Sequence, residues 1–354
     1  MSEKLKIRRA EAGDYHAVMD LINRVFRPAE PQYFETNYPH LYRRVETATG
    51  GAVLAYHDGK LVGHVGIYPL SFRVGKTVLR VGGIGAVATD APCRGQGVMS
   101  AMLPAAIEWM TEADYDISIL WGDRRRYRRY GWEVAGRGLR WQFDDQLAQQ
   151  DGVAPLPLRP VHLPDDLDAL TESWNARPLG TARTAENLSR LLERPQWYKF
   201  VAPTQPMTQV WYQLNDGGRE VRVHVLCGRA GEALGALLWL RQNVCQAEGK
   251  VMVYSPASQD ASTTLAERYG RIVEPYTLGL VRLVNPAALA EKLAPVLGPC
   301  AAALAKVDLS DADAGPRLVQ LLFDAPLKPA LPESLAGLAA ALPLPWWIED
   351  PSRV

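Results

Sequence analysis

The stretch Val87-Ala88-Thr89-Asp90-Ala91-Pro92-Cys93-Arg94-Gly95-Gln96-Gly97-Val98-Met99 constrains this chain more than any other. A strand-like run enters a loop with two glycines, and an apolar-periodic segment continues to about Ala113, so the order is strand, glycine loop, helix. A helix start leaves backbone N–H groups without partners and carries the positive end of the helix dipole, which suits a pyrophosphate. Gly95 and Gly97 let the backbone approach phosphate oxygens, and Arg94 adds a charge-assisted contact. Gly-x-Gly alone is more often a plain turn. Here the preceding strand, the arginine directly before the first glycine and the following helix coincide, and together they point to phosphate binding.

The elements around this loop are read from periodicity. Leu5 and Ile7 open a first strand, and Glu11–Phe26 carries apolar residues at helical spacing up to the break at Pro28. A helical stretch from Tyr33 to Arg44 is interrupted at Pro39. Strands are expected at Ala52–His57, Leu61–Phe72, Val78–Val81, Ile84–Thr89, Ile117–Trp121 and Trp132–Phe143, with turns at Asp58–Gly59 and Val74–Lys76. Pro104 falls inside the helix after the loop and is expected to kink it. Residues 151–160 contain three prolines and read as a linker. Beyond it, helices are expected at Asp165–Trp174 and Thr184–Leu192. Strands are expected at Tyr198–Val201, Gln209–Leu214, Val221–Cys227, Ala236–Leu240, Val251–Tyr254 and Leu278–Val284. After Asn285 come a short helix before Pro295, a strand at Leu318–Phe323, and a tail rich in Pro, Leu and Ala. The 354 residues exceed one ordinary core. The expected class is α+β, a mixed and mostly antiparallel sheet flanked by helices, followed by further α+β units.

A second motif is Tyr127-Arg128-Arg129-Tyr130-Gly131-Trp132-Glu133, where a short helix ends at glycine before a strand. On the residues alone, Tyr127 serves equally well as a cap on the core or as an acid. With both motifs in place, the chain resembles the GNAT superfamily of N-acetyltransferases, whose phosphate loop reads Arg/Gln-x-x-Gly-x-Gly/Ala. Here Arg94 to Met99 supply that pattern, with Met at the last small position. The departure is similar to one branch, the enhanced intracellular survival type, in which tandem acetyltransferase-like domains precede a sterol-carrier-like domain. The resemblance implies a catalytic GNAT domain over 1–148, a degenerate GNAT-like domain over 149–284, and a shortened, sterol-carrier-like α/β domain over 285–354 whose tail docks into the active site.

The resemblance further implies that Val87, Ala88, Thr89, Arg94, Gly95, Gln96, Gly97, Val98 and Met99 hold acetyl-CoA. Backbone around Val87–Thr89 would pair with the pantetheine arm, and a backbone N–H from Val87 or Ala88 would polarise the thioester carbonyl. Tyr127 falls on the family's general acid. A phenol of pKa about 10 can protonate a thiolate whose ordinary pKa is about 8.5. The base in this branch is the C-terminal carboxylate, here Val354. Glu349 and Asp350 are substitutes for that base, attractors of a cationic substrate, or simply exposed tail residues. The implied reaction is direct acetyl transfer to a primary amine of aminoglycoside, polyamine or lysine type. A non-catalytic module that senses acyl-CoA is the alternative. The second unit has neither motif and would wall the acceptor cleft.

Composition narrows the partners. Thirty-nine basic residues balance 39 acidic ones, so a global field for nucleic acid is absent. Arg124, Arg125, Arg126, Arg128 and Arg129 read instead as a solvated face that can touch the coenzyme's phosphates. Asp123 reads as the cap of that Arg-rich helix, while Glu30 and Glu35 stand at the expected acceptor mouth. His57 and His64 read as structural or exposed. No run of about 20 apolar residues could span a bilayer. Four scattered cysteines and a polar Met1–Lys6 suggest free thiols in the cytoplasm, with no metal site. A homo-oligomer is expected from the branch.

Overall fold

The computed structural model describes residues 5–257, 261–298, 301–305 and 313–323, together with 342, 344, 346–349 and 352. Fifteen strands are described. β1 (Lys6–Arg9), β2 (Ala52–His57), β3 (Lys60–Val74), β4 (Thr77–Thr89), β5 (Ile117–Leu120), β6 (Glu133–Val134) and β7 (Arg137–Phe143) come from the first part of the chain. β8 (Arg159–Pro160), β9 (Leu179–Ala182), β10 (Tyr198–Ala202), β11 (Thr208–Asn215), β12 (Glu220–Cys227), β13 (Lys250–Pro256), β14 (Gly270–Thr277) and β15 (Leu280–Leu283) follow.

They form two sheets flanked by helices, an α+β architecture. One runs β1-β2-β3-β4-β5-β15-β6, with β9 also on β3, and the other runs β14-β7-β13-β12-β11-β10-β8. Pairing is antiparallel except for β4 with β5 and β12 with β13. Each parallel pair is bridged by a helix, Val98–Glu112 in the first sheet and Ala230–Asn243 in the second, because parallel neighbours need a crossover. The two sheets thus repeat one β-helix-β unit. Among the described residues no helix is long and apolar enough to cross a membrane.

The run expected as one strand over Trp132–Phe143 is two strands in different sheets. The chain turns at Gly136, whose φ of 72° favours glycine, and the side chain of Trp346 occupies the space where a Cβ would stand. β7 therefore belongs to the second sheet, while β15, far later in the chain, enters the first between β5 and β6. Ala236–Leu240, expected as a strand, lies within the helix Ala230–Asn243. That helix is buried on nearly every side, so its sequence shows no polar face to betray the period. Leu318–Phe323, also expected as a strand, falls in the helix Ala314–Leu322. The helix after the glycine loop continues through Pro104.

The described residues after Asn285 form helices and an extended tail rather than strands. They share one core with the first sheet. Phe72, Val81 and Ile117 pack with Leu289, Leu293, Leu322, Trp346 and Ile348. Trp346 lies with its ring centroid 4.3 Å from that of Phe72. Trp346→Ala should cost about 3 kcal/mol or more, since a buried indole is removed from a shared core. Urea unfolding would show the drop as a lower midpoint, and an unchanged midpoint would contradict the docked tail.

Candidate active site

The site begins with a mismatch in β4. β3 pairs with β4 along its whole length, but β5 pairs with it only from Val81 to Ile84. From Gly85 to Thr89, the edge of β4 that faces β5 has no strand partner among the described residues. Within that stretch the register against β3 shifts. His64 opposes Ala88 and Gly66 opposes Gly85, so Ala86 and Val87 share the single residue Val65. Ala86 sits at φ 46°, an unusual conformation for a residue with a Cβ. His64, fully buried, holds this bulge through Nδ1 at 2.8 Å from the Ala86 carbonyl. Burial pushes the His64 pKa down to about 4, so the ring is neutral and the Nδ1–H donates.

β4 then leads through a short turn into the glycine loop. Gly95 and Gly97 have φ of 75° and 79°, and a Cβ at either would meet open space. Both glycines are therefore required by backbone conformation rather than by packing. The helix Val98–Glu112 starts at Gly97 with no capping side chain among the described residues, which leaves its first N–H groups for an anion. Gly63 on β3 admits Val98 and Met102 against the sheet and so brings the helix start close to it.

A groove of about 730 Å³ opens between the loop and the free edge of β4. Seven of the nine residues expected to hold the coenzyme line it: Val87, Thr89, Arg94, Gly95, Gly97, Val98 and Met99. Ala88 does not, because it faces the core beside Leu54 and Tyr68. Gln96 does not either. Its side chain turns back to the Pro92 carbonyl at 2.9 Å. Arg126, one of the five arginines expected to touch the coenzyme's phosphates, also lines the groove with Cys93 and Ser100, and so do Val25 and Phe26 at the end of the first helix, which the sequence did not single out. Phe26 is 38% exposed, an uncommon setting for an aromatic, and its place at a helix end just before Pro28 was the available signal.

Tyr127 stands one residue beyond Arg126, in the helix Arg124–Tyr127. Its ring meets Trp132 edge-on, and Gly122 makes room for it. It lies beside the groove rather than among the lining residues. Burial raises its pKa despite the opposing charge of Arg126, so it is protonated near neutrality. Asp123 caps the helix by accepting from the Arg125 N–H at 2.9 Å, as expected. Arg124, Arg125, Arg126 and Arg129 are exposed, as expected of a solvated face, and two of the five arginines are also paired. Arg124 and Arg128 both bond the buried Glu133, at 2.7 and 3.2 Å, which offsets their mutual repulsion. Burial drives the Glu133 carboxyl upward, but the bonds from Arg124 and the Val134 N–H outweigh it and leave the pKa below its ordinary value. Arg129 reaches Ser100 at 2.9 Å and so ties this segment to the loop helix.

Of the tail and the acidic residues at the expected acceptor mouth, the structure places Glu349, Ser352, Glu30 and Glu35. Glu349 is fully buried and spent. Arg177 holds it at 2.5 Å and the Thr181 hydroxyl at 2.9 Å, which fastens the tail to β9. Val354 and Asp350 lie outside the described residues. Ser352 lines a cavity of about 240 Å³ with His40, Tyr68 and Arg183. Glu35 accepts from Asn23 at 2.9 Å in a separate surface depression beside the first helix, and Glu30 pairs loosely with Arg27 at 3.9 Å.

The second unit shows what the first would look like closed. Its helix Ala230–Asn243 follows β12 through Gly228 and Arg229, with no Gly-x-Gly loop. The helix start is covered by its own Glu232, which accepts from the Arg229 N–H at 3.1 Å. Past the last pair of β12 with β13, the His224 and Tyr254 rings stack at 4.2 Å where the first sheet is open.

A splayed parallel pair meeting a bare helix start defines an acyltransferase of the N-acetyltransferase class. Residues 6–135 match the family profile of the acetyltransferase (GNAT) domain, and this part of the chain is a GNAT acetyltransferase domain. The fold of the larger molecule is similar to a GCN5-related N-acetyltransferase from Kribbella flavida, at 18% identity and a TM-score of 0.62 over 80% of this chain and 73% of that one. It is also similar to a probable N-acyltransferase of unknown function from Enterococcus faecalis V583, at 17% identity and a TM-score of 0.65 over 82% and 74%. Eis1 from Mycobacterium abscessus matches at 15% identity and a TM-score of 0.58 over 82% and 76%. These likenesses extend well past residue 135 and show the tandem fold. No curated protein matches the chain.

The His64 lock has a pH signature. Its folded pKa is about 4 against an ordinary 6.5, so the unfolded chain takes up the proton first as pH falls. Stability should be full above pH 6.5 and decline by up to about 3 kcal/mol towards pH 4, by linkage. His64→Asn, which keeps a donor for Ala86, should flatten that decline in denaturant titrations, with His40 supplying what remains. A pH profile identical to wild type would contradict the assignment.

Proposed function

We propose that the chain transfers an acetyl group from acetyl-CoA to a primary amine, directly, with both substrates bound. The observation that carries this reading is the free edge of β4 meeting an uncapped helix start. One end offers strand-like backbone for the pantetheine arm and the other offers N–H groups and Arg94 for the pyrophosphate. The groove is open at both, which fits the coenzyme.

The coenzyme brings the acetyl group as a thioester. The chain's own groups do the rest. Gly95, Gly97 and the first N–H groups of the helix hold the phosphates, while Val87 and Thr89 align the arm. The backbone N–H of Val87 polarises the thioester carbonyl, and the bulge at Ala86 aims it. Tyr127, kept protonated by burial, gives its phenolic proton to the departing sulfur. The amine loses its proton to the terminal carboxylate of Val354. Support for that role is indirect: Ser352, two residues earlier, lines the cavity beside Tyr68. The buried ion pair of Glu349 with Arg177 removes it from the candidates. The second unit, its helix start covered by Glu232, serves as a wall for the acceptor and an anchor for the tail. The protein on this reading is a cytoplasmic homo-oligomer.

One observation favours the non-catalytic alternative. Tyr127 stands beside the groove rather than in its lining. Tyr127→Phe separates the two. Steady-state transfer should fall about 100-fold or more, the usual contribution of a positioned acid, with acetyl-CoA affinity retained. Equal turnover would remove Tyr127 from the mechanism. A short tag fused after Val354 should likewise suppress transfer, and full activity in that protein would exclude the terminal carboxylate as base.

A further inference from the structure

Arg183 and His40 face one cavity, and each leaves a buried nitrogen without a hydrogen-bond partner among the described residues. Arg183 follows β9 directly and lines both the cavity beside Ser352 and an adjoining one of about 310 Å³. Its Nε is buried and has no hydrogen-bond partner among the described residues. Burial pulls its pKa down to about 10, against the opposing help of Glu349, so the guanidinium is charged and poorly compensated. Glu349 itself bonds Arg177 rather than Arg183. His40 is 8% exposed, lines the same cavity, and leaves Nδ1 unpartnered among the described residues. Burial, with the nearby charges of Arg194 and Arg183, holds its ring neutral. A poorly compensated guanidinium and a neutral ring, each short of a partner among the described residues, favour a ligand that completes them.

The cavity is also well placed. Its wall includes Tyr68 and Leu70 of β3. Tyr68 reaches back over Gly66, the residue paired with Gly85 at the foot of the bulge. At about 3.3 Å per strand residue, Tyr68 and Leu70 lie about 7 and 13 Å along β3 from that point. An acceptor of a few carbons could span from the bulge to Arg183.

We propose that this cavity is an anion subsite of the acceptor pocket, and that the acceptor is a primary amine carrying a carboxylate, held by Arg183 with His40 as a second hydrogen-bonding group. The planar guanidinium takes a carboxylate with two parallel bonds, which gives orientation as well as affinity. The inference rests on the acetyltransferase reading above. It assigns the acceptor a net charge lower than that of a polyamine: the one acidic residue among those lining the cavity, Glu46, is exposed, while the Arg183 guanidinium carries the inward charge.

The test compares three acceptors of similar length, ε-aminohexanoate, its amino-alcohol counterpart and cadaverine, with wild type, Arg183→Gln and Arg183→Lys. Wild type should show kcat/KM at least tenfold higher for ε-aminohexanoate than for the other two. Arg183→Gln should raise KM for that acceptor about tenfold with little change in kcat, leave the other two unchanged, and be partly rescued by Arg183→Lys. Equal use of all three acceptors, or an equal loss on all three in Arg183→Gln, overturns the anion subsite. No transfer to any of them, with acetyl-CoA bound, counts against the acetyltransferase reading instead. Calorimetric binding of ε-aminohexanoate then decides the subsite. Binding that is lost in Arg183→Gln upholds it, and no binding to wild type overturns it.

Discussion

β4 has to satisfy two neighbours of unequal reach, and the rest of the site follows from that. β3 accompanies it to Thr89, whereas β5 leaves it after Ile84. The surplus on the free side is absorbed by the bulge at Ala86 and Val87, and the strain at Ala86 is held by a buried, neutral histidine. A regular ladder there would bring the strands together and leave no slot. The strand that opens the slot also delivers the glycine loop, so backbone for the arm and N–H groups for the phosphates come from one continuous stretch of chain.

The two sheets are bound to one another by exchange. β7 leaves the first unit for the second sheet, and β15 returns to sit between β5 and β6. Neither unit is complete without a strand from the other's stretch of sequence. The tail adds a third fastening, with Trp346 on Phe72 and Glu349 buried between Arg177 and Thr181. Charge is used here for placement: the carboxylate is fully buried, and breaking such a pair leaves an uncompensated ion. This arrangement brings Arg183 of the second unit to the wall of a cavity whose other side is β3 of the first.

Much of this was legible in the sequence. The glycine loop, the helix after it, the cap at Asp123 and most strand positions follow from local rules, because each depends on residues a few positions apart. The departures have one physical origin in common. Trp132–Phe143 reads as one strand since nothing local says that Gly136 turns the chain into another sheet; Trp346, more than 200 residues away, occupies the space that demands glycine there. Ala236–Leu240 is a short apolar run whose burial on several sides erases the period that separates helix from strand, and Leu318–Phe323 is too short a run to show the helical spacing that the whole helix Ala314–Leu322 has. The pairing of Arg124 and Arg128 with Glu133 carried no local signal, because Glu133 lies beyond the turn. Arg183 and His40 carried no signal at all, since their meeting depends on β9 pairing with β3.

The central claim is that the loop and the free edge of β4 bind acetyl-CoA. Calorimetric titration of acetyl-CoA into the protein, beside an Arg94→Ala, Gly97→Trp double variant of matched folded stability, tests it most directly. The account predicts saturable binding at one site per chain in wild type and none in the variant. Equal binding by both proteins, or no binding by wild type, would contradict it.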